Sequence, residues 1–112
     1  MSEITDEQML EMLTTTKAYT LMVLRQGPNY DAPGRDQIVW EHGRRNFELR
    51  ADGKLAIVCP VFDDSPLCGI GVFDATAVQV AEIMEGDPGV RAGVFEYEVH
   101  PVRGFPGSTL PA

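Results

Sequence analysis

Four stretches of the chain carry the apolar, β-branched and aromatic residues that are typical of β-strands. The first is broken by Gly27-Pro28-Asn29 and the last is closed by Pro101, because glycine and proline disrupt regular strands. The second and third are separated only by residues 62–66, which predicts a β-hairpin. The four predicted strands cover residues 19–24, 55–61, 67–73 and 94–99.

The segment between the first two strands has the spacing of an α-helix. From residue 36 to residue 51, Ile38, His42 and Leu49 lie close to one helical stripe. Asp52-Gly53 follows as a stop signal. This pattern places His42 on the inward-facing side of the predicted helix.

Capping boxes mark the beginning of two further helices. Thr5-Asp6-Glu7-Gln8 opens a short helix that ends near Thr14. This helix lies outside the essential fold, and we interpret it as a docking or partner-covering extension. A second capping box at residues 76–79 opens another helix, which residues 86–89 end because they include a proline.

The order of these elements is a helix followed by β-α-β-β-α-β. This order matches a ferredoxin-like α+β fold, in which a four-stranded antiparallel sheet carries both helices on one face. We expect an N-terminal helical extension at residues 1–16, an α+β domain at residues 17–103 and a C-terminal tail at residues 104–112. A chain of 112 residues has room for one such domain with one hydrophobic core.

The second predicted strand is apolar on both of its faces. One face carries Leu55, Ile57, Cys59 and Val61, and the other carries Ala56, Val58, Pro60 and Phe62. One pair of helices covers only one face of a sheet, so the opposite face needs a second sheet, and an identical chain is the simplest supplier. The sequence therefore predicts a homodimer.

The charge and hydropathy of the chain exclude two classes of partner. A formal net charge of −8 at pH 7 argues against nucleic acid, because nucleic-acid-binding proteins place Lys and Arg on phosphates. No apolar run approaches the roughly 20 residues that cross a bilayer, and the first residues lack a basic segment followed by an apolar one. We therefore expect a cytoplasmic protein that binds neither nucleic acid nor membrane.

The two cysteines, Cys59 and Cys68, are too few for a disulfide framework and are expected to be free thiols. If the hairpin closes through Phe62 and Ser65, the two cysteines lie directly opposite each other. Without a CxxC motif or basic neighbours, we interpret them as small buried apolar residues, and a redox role is the alternative.

His42 and His100 are the only histidines, and histidine is the side chain best suited to proton transfer at neutral pH. On its own, a helical histidine such as His42 is also typical of a hydrogen-bonded core residue. His100 and the cysteines fit no common spacing for structural zinc, so we expect no metal site and no cofactor.

The order of several short motifs resembles the YciI-like (YCII-related) family. These motifs are Gly27-Pro28-Asn29-Tyr30, His42 on the following helix, Asp52-Gly53-Lys54-Leu55, a strand ending at Pro60, Asp87-Pro88 and Ala92-Gly93. The resemblance spans residues 19–101. It implies a subunit of a dimeric α+β barrel with His42 and Asp87 paired in an active-site cleft. It also implies lyase-type proton transfer, such as dehydrochlorination of a substituted aromatic ring.

The resemblance makes His42 a candidate general acid or base and Asp87 the carboxylate that accepts its Nδ1–H. The candidate substrate-binding residues are Tyr30 and Trp40, as aromatic walls, together with Pro60 and Cys68. Cys68 stands where many members of that family have an arginine, so their substrate does not transfer directly to this chain.

Two functions follow from these residues. One is an enzyme that transfers a proton on a small molecule, such as a substituted aromatic compound or a lactone. The alternative is a non-catalytic ligand-binding or structural homodimer, in which a buried pair of His42 and Asp87 specifies the fold.

Overall fold

A four-stranded antiparallel sheet forms the centre of the structure, a computed structural model that describes residues 2–112 of the chain. Its strand order is β2-β3-β1-β4, so β2 and β4 are the two edge strands. The described residues also contain four helices, and none of these is both long enough and apolar enough to cross a bilayer. The elements, in chain order, are α1 (Asp6–Leu13), β1 (Lys17–Gln26), α2 (Arg35–Ala51), β2 (Leu55–Pro60), β3 (Leu67–Phe73), α3 (Ala77–Glu85), α4 (Pro88–Arg91) and β4 (Phe95–Gly104).

Helices α2, α3 and α4 pack on one face of the sheet, and the core lies between the two layers. Met22 on β1 and Phe73 on β3 are buried on the strand side. From the helix side, α2 contributes Leu49, and α3 contributes Val80 and Met84. Alternate strand positions and every third or fourth helix position reach this core, which is why the apolar periodicity predicts these elements.

The predicted α+β class and antiparallel sheet are confirmed, and so are both capping boxes. The hydroxyls of Thr5 and Thr76 accept a hydrogen bond from the backbone N–H three residues later. The side chains of Gln8 and Gln79 accept one from the backbone N–H of the same two threonines. Helix α2 ends at the predicted stop, where Gly53 has φ 76°, a left-handed conformation that glycine adopts without steric strain.

The prediction that Pro101 closes the last strand is wrong, because β4 continues to Gly104 and Pro101 lies opposite Thr20. A proline is tolerated there because β4 is an edge strand. Residues 86–89 do follow the end of a helix, as predicted, because α3 ends at Glu85. Pro88 also begins the short helix α4, which the sequence pattern does not predict; the first helical position tolerates proline because its N–H has no helical partner to lose.

The two faces of β2 also differ from the prediction. Leu55 lies opposite Phe73 and is buried in the core, whereas Ile57 lies opposite Val72. An irregularity in the β2–β3 ladder between Leu55 and Ile57 shifts the register. These two residues therefore lie on opposite faces of the sheet, although simple alternation places them on the same one.

The predicted pairing of the two cysteines across the hairpin is wrong. Cys59 lies opposite Ile70, and the backbone of Cys68 accepts a hydrogen bond from Val61. The loop is longer than predicted because the carboxylate of Asp63 accepts hydrogen bonds within the turn, which moves the closing pair. Both cysteines are free.

The sheet face opposite the helices is an apolar surface of half-buried residues. From their registers with the buried residues, these are Leu21, Val23, Ile57, Ile70 and Val72. Beside them, Glu98 of β4 accepts hydrogen bonds from Nε of Arg25 at 2.8 Å and from the ring of His100 at 2.7 Å. The second apolar face that the sequence predicts is therefore present in the described part of the chain.

Candidate functional site

Helices α2 and α4 bring His42 and Asp87 to the same buried point. His42 lies on the inward-facing side of α2, and only 7% of the residue is exposed. Asp87 is the N-cap of α4, and its Oδ2 accepts hydrogen bonds from the N–H groups of Gly89 at 2.9 Å and Val90 at 3.2 Å. Such a cap satisfies N–H groups that have no partner within a helix. The backbone therefore fixes the carboxylate in front of the histidine.

His42 and Asp87 form a close pair. Nδ1 of His42 lies 2.8 Å from Oδ1 and 2.9 Å from Oδ2 of Asp87, of which only 1% is exposed. An ionised carboxylate only accepts hydrogen bonds, so Nδ1 carries the hydrogen and the Nδ1–H group donates a hydrogen bond to Asp87. In a neutral imidazole, the basic lone pair is then on Nε2.

Three further side chains surround this pair. Nδ2 of Asn46, one turn further along α2, lies 3.3 Å from Nε2 of His42. The ring of Phe95 packs against the imidazole with a distance of 4.7 Å between ring centroids. Nη1 of Arg45 lies 3.9 Å from Oδ1 of Asp87, and within residues 2–112 this buried nitrogen has no hydrogen-bond partner. Its positive charge attracts the carboxylate.

The close packing at this point requires glycine at position 89. A Cβ atom there would lie 2.4 Å from the ring of Phe95 and 3.0 Å from Oδ2 of Asp87. Protein interiors are close-packed, so any other residue would displace the ring or α4. Gly89 thus allows the aromatic ring, the carboxylate and the imidazole of His42 to lie together.

A second group of candidate residues lies on the other side of Phe95. The ring of Tyr30 is 6.2 Å from that of Phe95, and the guanidinium of Arg35 lies 4.4 Å above Tyr30. Burial raises the pKa of the nearby Cys68 thiol, while a hydrogen bond with Tyr30 and the charge of Arg35 act in the opposite direction. The raised pKa favours the protonated thiol, which is a poor nucleophile.

The function of this arrangement has to be inferred from its own geometry. No protein-family model and no curated protein matches the chain. The resemblance to the YciI-like family therefore rests on the short motifs alone.

The structure does not bring Trp40 to His42. Trp40 is 65% exposed on the outer face of α2, because side chains two positions apart on a helix point to roughly opposite sides. It therefore forms no wall of a site around the histidine. Pro60 is exposed at the end of β2, where it lies opposite Gly69.

The imidazole of His42 has little contact with solvent, since 9% of its side chain is exposed. Two concave regions of the surface lie elsewhere. One of about 750 Å³ follows the outer face of α2, and one of about 290 Å³ lies between β2 and residues 108–110. Neither is lined by His42 or Asp87. The amide of Asn46 occupies the hydrogen-bonding position at Nε2.

Asn46, Arg45, Phe95 and Arg35 also lie at this site, although the sequence pattern marks none of them. Asn46 and Arg45 follow His42 by four and three positions, a spacing that places side chains on one side of a helix. Phe95 and Arg35 carry no such local signal. Within residues 2–112, no three His, Cys, Asp or Glu side chains form a group that could hold a metal ion.

Proposed function

We propose that this protein is a small-molecule enzyme in which His42 transfers a proton as general base or acid. The observation that carries the proposal is the 2.8 Å bond from Nδ1 of His42 to Asp87, because it leaves the basic lone pair on Nε2. Asp87 orients the ring and stabilises the imidazolium that forms when Nε2 takes a proton. Catalysis of this kind contributes roughly 10²–10⁴-fold in rate.

We infer that the substrate is a small planar molecule, such as a substituted aromatic compound or a lactone. Phe95 is buried against the imidazole, so the half-buried ring of Tyr30, between Phe95 and Arg35, is the aromatic surface that supports this substrate class. The resemblance to the YciI-like family supports lyase-type chemistry, in which proton abstraction is followed by loss of a leaving group. His42 and Asp87 supply both groups that this proton transfer needs.

We also propose that the chain follows the ferredoxin-like plan and forms a homodimer, as in a dimeric α+β barrel. The strand order β2-β3-β1-β4 with antiparallel neighbours supports this plan. The apolar sheet face that contains Leu21, Val23 and Val72 supports face-to-face pairing, because contiguous apolar surface is typical of protein interfaces. The two free cysteines agree with the reducing conditions of a cytoplasm.

A second function is favoured by the burial of the pair. Nε2 of His42 already faces the amide of Asn46 at 3.3 Å, and the side chain is 9% exposed. In this alternative, His42 and Asp87 tie α2 to α4 and specify the fold of a non-catalytic ligand-binding or structural homodimer. The enzyme needs Asn46 to move away from Nε2, whereas the structural pair needs it to stay.

A ligand screen followed by substitution of His42 tests the enzyme proposal. Small aromatic and lactone compounds that bind the native state raise its melting temperature, and those that do are then assayed for turnover. His42→Gln should retain the fold and lose roughly 10²–10⁴-fold in rate. Glu41→Gln is the matched control, because it changes the preceding residue of α2, whose side chain bonds only to Gln37 and Arg44.

Asn46→Ala separates the two functions. It exposes Nε2 of His42, so an enzyme should keep or increase its rate, whereas a structural pair should only lose stability. Normal turnover by a folded His42→Gln variant would overturn the enzyme proposal. Lower melting temperatures in both variants, with unchanged ligand affinity, would establish the structural alternative.

A further inference from the structure

Helix α1 stands apart from the rest of the fold. None of its residues is buried, and within residues 2–112 it packs closely against no other element. Its apolar side chains, each more than half exposed, are Met9, Leu10, Met12 and Leu13. On a helix these four positions share one side, and Glu7 and Glu11 lie on the other. Helix α1 is therefore amphipathic, and its apolar side is unpartnered.

The outer face of α2 carries an apolar groove of about 750 Å³, here called the α2 groove. Its floor is the stripe formed by Trp40, Gly43, Phe47 and Ala51, which are three or four residues apart. Trp40 and Phe47 are 65% and 66% exposed. A Cβ atom at Gly43 would meet nothing within 4 Å, so a notch separates the two aromatic rings. Notches of this kind receive apolar side chains from a second helix.

We propose that α1 of one protomer docks in the α2 groove of a second copy of this chain. The dimensions agree: an eight-residue helix is about 12 Å long, and the stripe from Trp40 to Ala51 extends about 16 Å along α2. Leu13 and Met9, one turn apart, supply apolar side chains for the notch at Gly43. Reciprocal exchange between two chains would form this contact twice in a symmetric dimer.

The charges of the two surfaces are compatible with this pairing. Residues 2–16 contain four acidic and no basic residues, whereas α2 contains four arginines against three acidic residues. Arg35 and Arg44 line the α2 groove, together with Asp36 and Glu48. These two arginines and two acidic residues balance in charge, so apolar contact supplies most of the affinity.

The attachment of α1 favours docking between chains over docking within one chain. Arg103 of β4 donates two hydrogen bonds of 3.0 Å to Thr16, which fixes the base of α1 beside β1 and β4. Helix α2 packs on β2, at the opposite edge of the sheet, and α3 packs on β1 and β4. Residues 14–16 alone join α1 to β1, and three residues span at most about 11 Å. The α2 groove of its own chain is thus out of easy reach.

Fluorescence tests the docking directly, because Trp40 is the only tryptophan and lies in the α2 groove. In Leu13→Asp chains the groove is intact and the docking helix is disabled, so Trp40 should emit as an exposed indole. Full-length Trp40→Phe chains, which keep α1 and contain no tryptophan, are then added and allowed to exchange. We expect the emission of Trp40 to move to shorter wavelength, since α1 of the added chain removes water from the groove.

Three matched variants make the result specific. Added chains that carry both Trp40→Phe and Leu13→Asp should cause no shift. Phe47→Asp, placed in the tryptophan-bearing chain, should weaken the contact roughly tenfold to a hundredfold, as expected for the loss of one large apolar contact. Val78→Asp in that chain should change nothing, because Val78 is equally exposed but lies on α3, outside both surfaces.

Two results would overturn the proposal. One is an emission of Trp40 that the added chains do not change. The other is a shift that also occurs with chains lacking a functional α1. The proposal is independent of His42, because the α2 groove lies on the other side of α2. If Leu13→Asp chains keep the mass of a dimer while Trp40 becomes exposed, that result supports the docking of α1. It also supports the separate pairing of sheet faces, which then holds the dimer together.

Discussion

Loss of the Asp87 carboxylate should destabilise the fold far more than loss of an ordinary helix cap. Asp87→Ala removes two hydrogen bonds to the backbone of α4 and the bond from His42, at a site that is 1% exposed. A lost cap costs about 1 kcal/mol. The buried Nδ1–H of His42 also loses its acceptor, which costs about 1–3 kcal/mol. We therefore expect the free energy of unfolding to fall by about 2–4 kcal/mol.

Two other caps in the same chain are matched controls. Thr76→Ala removes the N-cap of α3, which bonds only within that helix, and should cost about 1 kcal/mol. Thr5→Ala removes the cap of α1, which has no buried residue, and should leave global unfolding unchanged. Urea unfolding followed by circular dichroism gives the three free energies by linear extrapolation. In thermal unfolding, Asp87→Ala should lower the melting temperature by roughly 8–16 °C.

A small difference between the two core caps would refute this reasoning. The free energy of unfolding that each variant loses is compared. If the losses in Asp87→Ala and Thr76→Ala differ by less than about 0.5 kcal/mol, the usual deviation from additivity, the bond to His42 contributes nothing measurable to stability. The pair would then have no structural role.

Two further results are expected from the pKa shifts. In a Cys59→Ser variant, the rate of alkylation of Cys68 should rise with pH around a midpoint above the ordinary thiol pKa of about 8.5, because burial raises the pKa of this thiol. A midpoint at or below that value would contradict the structure. The carboxyl of Glu98 should titrate in nuclear magnetic resonance below about 4.3, because hydrogen bonds with His100 and Arg25 lower its pKa. Its contribution to stability is therefore fully present above about pH 4.3 and is lost as the pH falls through the lower folded-state pKa. A measured pKa of Glu98 at or above about 4.3 would rule out this contribution.

Local periodicity predicts an element well where residues that interrupt regular structure directly precede and follow it. Strand β3 is predicted at its observed bounds, Leu67–Phe73, since Pro66 precedes it and an aspartate follows it. The prediction from Pro101 fails, and the short helix that begins at Pro88 is missed, because the effect of a proline depends on its position. The first residue of a helix and an edge strand both tolerate it, and edge strands are known only once the strand order is known.

The site is predictable only in part. The spacing of His42 from Leu49 predicts its inward orientation, but the pairing with Asp87 follows from the resemblance and not from spacing. Phe95 reaches the imidazole from a distant strand, so no local pattern reveals it. Trp40 is a candidate only for its aromatic character, and its separation of two residues from His42 places it on the other side of α2.

The proposed enzyme needs Nε2 of His42 to be a base that a substrate reaches, and nitrogen nuclear magnetic resonance of the histidine rings shows which ring nitrogen carries the proton. In the neutral ring we expect the proton on Nδ1 and none on Nε2, as the bond to Asp87 requires. Addition of a ligand found by thermal shift should then move the Nε2 resonance of His42 together with the side-chain amide of Asn46. A neutral ring that carries its proton on Nε2, or an Nε2 resonance that no bound ligand moves, would overturn the proposed catalytic role.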